Sequence, residues 1–162
     1  MRKLILASSS PSRKELLERF KIPFEIHIPD IDENPKVNEK PADLVLRLSY
    51  EKAAIFVDTF PDALIIGSDI VGVMDNQIIN KPETRENAVK QLLSFSGRKI
   101  EFLAGVCLLD SKTKKSQVEV EKIEVVFREL SLERIERYLA VENVLNAAGS
   151  VKVEGVGIAP VR

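Results

Sequence analysis

The sequence of 162 residues predicts an α/β fold whose sheet mixes parallel and antiparallel strands. Three observations support this fold class. Short apolar or alternating segments, which are typical of strands, alternate along the chain with longer segments of helical periodicity. The dipeptide Asp75-Asn76 between two apolar runs predicts a hairpin turn. Two long strand patterns later in the chain are joined only by the polar turn "SKTKK" at 111–115.

The chain opens with a strand that leads directly into a helix. The apolar run from Lys3 to Ser8 is typical of a buried strand. "PSRKELLERF" at 11–20 then has helical spacing, with Leu16, Leu17 and Phe20 on one face.

A second strand and a long helix are expected next. "FEIHIP" at 24–29 alternates as a strand does, and a polar loop with two prolines follows it. The clearest helix pattern covers 41–60, with Pro41 in its first turn. Its apolar positions near helical spacing are Leu44, Leu48, Ala53 and Ile55.

The second half of the chain predicts four strands and two helices. Residues 63–82 have the pattern of strand, turn and strand, and a helix over 83–97 is ended by Gly97. Long strands are expected over 99–110 and 117–130. Ser131 then caps a last helix that reaches residue 140.

Composition and charge exclude several classes of function. The content of 44% hydrophobic and 30% charged residues is ordinary for a globular protein. The formal net charge of −1 offers no overall field for nucleic acid or acidic membranes, so an anion site has to be built locally. No apolar stretch approaches the ~20 residues of a membrane span, and the N-terminal apolar run is too short for a signal peptide. We therefore expect a bacterial-type cytoplasmic protein that binds neither nucleic acid nor membranes.

The single cysteine and the single histidine narrow the chemistry further. Cys107 lies in the apolar run "FLAGVCLLD", so we expect a buried packing residue, and one cysteine cannot form an internal disulfide. His27 alternates with apolar residues and is interpreted as a strand-surface residue. Acid–base chemistry is therefore expected from carboxylates and lysines.

Three serines and Arg13 stand where the first strand gives way to the first helix. Ser10 before Pro11, or Ser12 as part of a capping box, would begin the helix. The free N–H groups of a helix N-terminus, together with Ser8 and a guanidinium, would instead bind a phosphate. Taken alone, the segment favours capping, because it lacks the glycines of a P-loop.

Four polar residues farther along the chain are also candidates. Glu33 lies in a loop, Lys52 on a helix and Lys81 at a strand end, and each is also an ordinary solvated position. Asp69 is harder to dismiss, because a carboxylate inside an apolar strand costs several kcal/mol if it is buried without a partner. It is therefore either satisfied by a specific partner or placed at a functional site.

Together these motifs resemble a known family. "LASSSPSRKELL", "DE" at 32–33, "EKA", "GSD", "NKP" and "AAGSVKVEGVGI" are similar, in order and in spacing, to those of the Maf nucleoside triphosphate pyrophosphatases. The resemblance runs from residue 2 to about 158 and is greatest to the YceF branch, which is associated with 7-methyl-GTP. It implies a long mixed sheet with flanking helices, two lobes around a central cleft, and a capacity to form homodimers.

The resemblance also implies a reaction and a site. Maf proteins hydrolyse a nucleoside triphosphate between its α- and β-phosphates with the help of a divalent metal. By position, Glu33 and Asp69 are expected to be catalytic and to bind Mg²⁺ or Mn²⁺, with Asp69 as the proton acceptor. The residues expected to hold the triphosphate substrate are Ser8, Arg13, Lys52 and Lys81.

Three positions are expected to set specificity. Ser12 stands where the branch usually has an aromatic or bulky residue, and Ile70 where it commonly has glutamine. Glu154 keeps the acid of the branch, which can accept hydrogen bonds from N1–H and the exocyclic amine of guanine. The chain stops at "GIAPVR", so we expect one Maf-like domain over 1–162 from which the C-terminal segment of the family is missing.

The resemblance therefore favours an enzyme that removes modified nucleotides, such as 7-methyl-GTP, before they enter nucleic acids. The competing hypothesis is a nucleotide-binding regulatory protein, linked to septum formation and cell-division arrest, with little or no turnover. Asp69 favours the enzyme, because binding alone has no need of a carboxylate inside a strand.

Overall fold

The computed structural model describes residues 2–145, 147–151 and 160. The helices are α1 (Pro11–Glu18), α2 (Pro41–Ala54), α3 (Arg85–Phe95) and α4 (Leu132–Val141), with a short 3-10 turn at Ala148–Ser150. The strands are β1 (Lys3–Ala7), β2 (Glu25–His27), β3 (Ala63–Met74), β4 (Gln77–Ile79), β5 (Lys99–Asp110) and β6 (Lys115–Val126).

The described strands form one mixed sheet. Its order is β2-β1-β3-β5-β6, with β4 paired to β3. Strand β1 runs parallel to both β2 and β3, whereas β3 and β4 are antiparallel. The link between the neighbours β5 and β6 is too short for a parallel crossover, so these strands also run antiparallel. The predicted mixed α/β class is confirmed.

Local turn and cap signals behave as expected. Asp75 and Asn76 have φ values of 51° and 62°, the positive pair that a tight hairpin turn requires. Ser131 caps α4 by accepting a hydrogen bond from the backbone N–H of Arg134. Gly97, which follows α3, has a φ of 68°.

The chain divides into two compact units. Unit 1 comprises Met1–Asp69 and Ala104–Glu121, and unit 2 comprises Ile70–Leu103 and Lys122–Arg162. One buried hydrophobic cluster of unit 1 contains Ile5, Ala7, Ala53, Ala63, Ile65, Cys107 and Leu109, and Leu44, Val45 and Leu48 of α2 are also buried. A buried hydrophobic cluster of unit 2 contains Ala88, Leu92, Phe95, Ile100, Phe102, Phe127, Ile135, Tyr138 and Val144. The expectation of one domain over the whole chain stays a prediction.

Helix α2 lies against the sheet of unit 1 at two glycines. A β-carbon on Gly67 would come 2.1 Å from the carbonyl oxygen of Ser49, and one on Gly105 would come 2.5 Å from that of Val45. Only glycine allows backbones to approach so closely. This contact places the C-terminal half of α2 directly over β3.

Helix α1 departs from its prediction. It ends at Glu18, and none of its residues is buried. Leu16 and Phe20, predicted on one face, are 56% and 67% exposed. Leu17, the third residue predicted on this face, is partly buried, so the face is covered only in part.

Helix α2 is shorter than predicted. It ends at Ala54, and Ile55, predicted on its apolar face, is 45% exposed. The N–H of Phe56 bonds to the carbonyl of Ala53, an i→i+3 contact that tightens the last turn. This turn directs Phe56 and Phe60 towards the core of unit 1.

The single cysteine and the single histidine lie where they were expected. Cys107 is fully buried, and burial raises the pKa of its thiol to about 11. His27 is partly exposed on β2, with its ring centroid 4.6 Å from that of Phe60. None of the helices in the described part of the chain has the length and apolarity to cross a membrane.

Candidate active site

In unit 1, two carboxylates meet one ammonium group. Lys52 Nζ donates to Asp69 Oδ1 at 2.7 Å and to Glu33 Oε2 at 3.0 Å. Lys52 and Asp69 are buried, whereas the side chain of Glu33 is half-exposed. The specific partner that Asp69 requires is therefore Lys52, and Lys52 is not the solvated helix lysine that the sequence also allowed.

The meeting of Lys52 and Asp69 depends on how α2 contacts β3. Ser49, one turn before Lys52, is fully buried; its hydroxyl donates to the carbonyl of Val45 and accepts from the N–H of Asp69 at 3.1 Å. Ser49 was not among the site residues predicted from the sequence. The signal that could have found it was a serine beside the apolar position Leu48 of the predicted helix, three residues before a candidate lysine.

The serines before α1 serve two purposes. Ser10 caps the helix by accepting a hydrogen bond from the N–H of Arg13, with Pro11 as the first helical residue. The alternative cap, Ser12, lies inside the helix, so that interpretation was wrong. Ser8 is buried, and its hydroxyl accepts from Arg13 Nη1 at 3.3 Å and from the N–H of Ser10 at 3.1 Å.

The Arg13 guanidinium belongs to the same electrostatic environment as the two carboxylates. Burial lowers the pKa of Arg13 from its ordinary value, and the negative charges of Asp69 and Glu33 act in the opposite direction. A guanidinium stays charged near neutral pH even when its pKa falls. We call the cluster of Lys52, Asp69 and Glu33 the Lys52 centre. Unit 1 therefore has a partly buried, permanently charged cation near the Lys52 centre, at the positive end of a helix.

The loop that carries Glu33 is bound to α2 by Arg47, which was not among the residues predicted from the sequence. Arg47 donates to both carboxylate oxygens of Glu39 and to the carbonyl oxygen of Asn34. The hydrogen bonds from Arg47, supported by the N–H of Lys36, lower the pKa of Glu39 to about 2. In the sequence Arg47 looks like any polar residue of an amphipathic helix, so no local signal could have found it.

Lys81 belongs to unit 2 and is exposed. The carbonyl groups on either side of it are held by amide side chains of α3. Gln91 Nε2 donates to the carbonyl of Asn80 at 2.7 Å, and Asn87 Nδ2 donates to that of Pro82 at 3.0 Å. The backbone at Lys81 is thus held on both sides, and its role in holding phosphate stays a prediction.

The three specificity positions differ in what the structure describes. Ser12 is exposed in the first turn of α1. Ile70 follows the buried Asp69 on β3 and is 40% exposed, as expected when successive side chains of a strand point to opposite faces. Glu154 lies outside the described residues. The roles of all three stay predictions.

Glu33 and Asp69 have the chemistry of ligands for a hard divalent cation. Their carboxylate oxygens converge on one point, the ammonium of Lys52. Within the described part of the chain no group of three or more His, Cys, Asp and Glu residues forms a metal cluster. Mg²⁺ is commonly held by one or two carboxylates together with substrate phosphates, so the pair fits such an ion.

The sequence matches a protein family and several proteins of known name. Residues 3–162 match the family described as Maf-like protein. A protein of Alcanivorax borkumensis named 7-methyl-GTP pyrophosphatase is 48% identical over 96% of this chain and 79% of its own length. Proteins of the same name from Pseudomonas aeruginosa and Methylobacillus flagellatus are 47% and 46% identical, each over 96% of this chain and 81% of its own length.

Comparison with solved structures gives the fold. The Ham1 protein of Staphylococcus aureus aligns with a TM-score of 0.56 over 79% of this chain and 73% of that chain. The sequence identity is 9%, so this likeness shows the fold alone.

Proposed function

This chain belongs to the Maf family and is a nucleotide pyrophosphatase, and on that premise we propose that its substrate is 7-methyl-GTP. The reaction breaks the bond between the α- and β-phosphates and yields the monophosphate and pyrophosphate. The observation that carries the proposal is the meeting of Asp69 and Glu33 at Lys52, in the electrostatic environment of Arg13. The names of the relatives support the choice of nucleotide.

The triphosphate is a polyanion, and unit 1 offers it a local cationic site. The Ser8 hydroxyl and the Arg13 guanidinium lie at the N-terminal end of α1, where the helix dipole favours negative charge. A guanidinium can donate two parallel hydrogen bonds to one phosphate group. We assign Lys52 and Lys81 to the same task because they match the family motifs by position.

Asp69 is the proposed proton acceptor for the attacking water. As the water oxygen forms its bond to the α-phosphorus, its proton passes to the Asp69 carboxylate. The bond from the α-phosphorus to the bridging oxygen breaks, and its electron pair leaves with pyrophosphate. A Mg²⁺ or Mn²⁺ ion held by Glu33 and Asp69 would supply neutralisation of phosphate charge and a bound water of lowered pKa.

The proposed role follows from the substrate. Hydrolysis to the monophosphate would keep a methylated guanine nucleotide out of the pool from which polymerases build nucleic acids. We place the reaction in the cytoplasm and include a homodimer in the proposal. Size-exclusion chromatography with light scattering measures the oligomeric state directly, and a monomer at micromolar concentration would remove the dimer from the proposal.

Pyrophosphate release from a nucleotide panel tests the activity. The panel contains 7-methyl-GTP, GTP, dTTP, UTP and CTP, each with Mg²⁺ or Mn²⁺ and with a chelator. We expect 7-methyl-GTP to have the highest kcat/KM and the chelator to abolish release. Tight nucleotide binding without release would instead favour the regulatory protein.

Asp69→Asn tests the assigned chemistry. Loss of a positioned base typically lowers the rate by about 10²–10⁴-fold. Asp62→Asn is the matched control, because Asp62 is an exposed carboxylate of the same unit that pairs with Arg2. Activity of Asp69→Asn within a few-fold of the control would remove Asp69 from the mechanism.

Glu154→Gln tests the choice of base. An acid at this position can accept from two N–H donors of guanine, and its charge attracts a cationic methylated base. A uracil or thymine edge offers one N–H between two carbonyl oxygens. The substitution should therefore lower kcat/KM for 7-methyl-GTP relative to UTP, and Ser12 and Ile70 should leave selectivity broader than in the branch. If UTP or dTTP leads in the parent protein and the substitution changes nothing, Glu154 does not set specificity.

A further inference from the structure

Glu33 is held in a segment without regular structure. It lies between β2, which ends at His27, and α2, which begins at Pro41. Its side chain is half-exposed, yet its carboxylate reaches the buried Lys52 at 3.0 Å. Contacts other than helix or strand hydrogen bonds must fix this loop, because an exposed glutamate on a free loop would have many alternative positions.

Arg47 provides these contacts from inside α2. Its Nε and Nη2 donate to the two oxygens of Glu39 at 2.6 and 2.8 Å, and Nη2 also donates to the carbonyl of Asn34 at 3.1 Å. Nη1 donates to Glu51 on the same helix at 2.8 Å. The side chains of Arg47 and Glu39 are 16% and 9% exposed. The guanidinium is therefore largely shielded from solvent, and it donates two hydrogen bonds to the one carboxylate of Glu39.

The loop closes around this arginine. The second oxygen of Glu39 also accepts from the N–H of Lys36 at 2.9 Å, and the N–H of Glu39 donates to the carbonyl of Lys36. On the other side of Glu33, Asp32 Oδ1 accepts from the N–H of Asn34 at 3.0 Å. Arg47 thus donates hydrogen bonds to the carbonyl of Asn34, immediately after Glu33, and to the carboxylate of Glu39, which closes the turn five residues later.

We propose that Arg47 is a positioning residue that holds Glu33 at the Lys52 centre, an inference that rests on the proposed function of Glu33. Arg47 and Lys52 lie on the same helix, so α2 sets both the loop and the cation that the loop meets. The role requires the fork of a guanidinium. Lysine keeps the charge but cannot donate to two carboxylate oxygens and a carbonyl in a fixed plane.

Kinetics of Arg47→Lys test the proposal. Arg2→Lys is the matched control, because Arg2 makes the corresponding two-pronged contact to Asp110 in the same unit. We expect kcat of Arg47→Lys to fall about 10- to 100-fold, because misplacement of a reacting group by ~1 Å can cost about 10²-fold. KM should stay within about threefold, since Ser8 and Arg13 are untouched. A kcat equal to that of Arg2→Lys overturns the proposal.

A double-mutant cycle separates positioning from general destabilisation. If Arg47 acts through Glu33, then Arg47→Lys lowers kcat no further in a Glu33→Gln background. Two losses that multiply would show that Arg47 acts on another part of the protein and would overturn the proposal.

Hydrogen exchange tests the same inference without any turnover. The amide protons of Asn34, Lys36 and Glu39 should exchange at least about tenfold faster in Arg47→Lys than in the parent, while Arg2→Lys leaves them unchanged. Unchanged protection in Arg47→Lys overturns the proposal even in an active enzyme. If the parent releases no pyrophosphate from any nucleotide, the proposed function fails, and the exchange rates still decide whether Arg47 orders the loop.

Discussion

A β-carbon on Gly67 would lie 2.1 Å from the carbonyl oxygen of Ser49, so the contact between β3 and α2 has no space for any side chain. The same added atom would also come 2.9 Å from the backbone nitrogen of Ala53. Both are backbone atoms of the helix that carries Lys52, and neither can rotate away.

Gly67→Ala should therefore push α2 away from β3 and separate Lys52 from Asp69. We expect a loss of about 1–3 kcal/mol in the free energy of unfolding, the usual cost of overpacking, and a large fall in kcat. Gly72→Ala on the same strand is the control, because the atoms nearest to its β-carbon would be side-chain atoms of Ile79 and Phe102, at 3.3 to 3.4 Å. Urea unfolding measures both variants, and equal stabilities would contradict the close contact.

Lys52→Met should destabilise the protein more than Asp69→Asn does. Lys52→Met removes the ammonium that both carboxylates contact and leaves Asp69 buried beside an apolar side chain. Removing one partner of a buried ion pair costs about 3–5 kcal/mol. Asp69→Asn keeps an oxygen that can accept from Lys52, and Lys52 keeps Glu33. Urea titrations measure the free energy of unfolding of both variants. A larger loss in Asp69→Asn than in Lys52→Met would show that Asp69 is stabilised by a group other than Lys52.

The Glu39–Arg47 contact should make stability depend on acid pH. The pKa of Glu39 is lowered from 4.5 to about 2, so below pH ~4.5 the unfolded chain takes up a proton that the folded protein does not yet bind. The contribution is fully present above pH ~4.5 and is lost as the pH falls towards ~2. Unfolding midpoints at several pH values in this window should fall more steeply for the parent than for Glu39→Gln. Parallel slopes would contradict this contribution.

Cys107 should be unreactive in the folded protein. Burial raises the pKa of its thiol to about 11, and only the thiolate is the nucleophile, so little reactive form exists at pH ~8. We expect an aromatic disulfide reagent to modify Cys107 only after denaturation. The matched control is Val106→Cys in a Cys107→Ala background, since Val106 is 45% exposed on the same strand. Similar native labelling rates for the two thiols would show that Cys107 is accessible.

Sequence and structure agree most closely where a single residue or a short segment decides the geometry. Pro41 lies in the first turn of α2, Ser131 caps α4, and Asp75-Asn76 adopt the positive φ values of a tight turn. Each of these follows from the covalent properties of the residues and their immediate neighbours. The sequence alone could not decide between Ser10 and Ser12 as the cap of α1, because both serines have the same short-range chemistry. The structure shows that Ser10 is the cap.

The sequence also indicated which residues belong to the candidate site. Asp69 stood out because a carboxylate in an apolar strand needs a partner. Motif order pointed to Ser8, Arg13, Glu33 and Lys52, and the structure brings Lys52 into contact with both carboxylates, and Ser8 into contact with Arg13. Periodicity could not determine how far the predicted apolar face is buried: Leu16 and Phe20 are exposed although their spacing is helical.

Only the tertiary structure decided how the site is held. Arg47 acts on Glu39 and Asn34, Ser49 acts on Asp69 twenty positions along the chain, and Gly67 permits the contact of α2 with β3. The roles of these residues are defined by partners that are distant in sequence. Local preference can choose a helix, a turn or a cap, whereas the position of a buried charge depends on the packing of elements that the chain brings together only on folding.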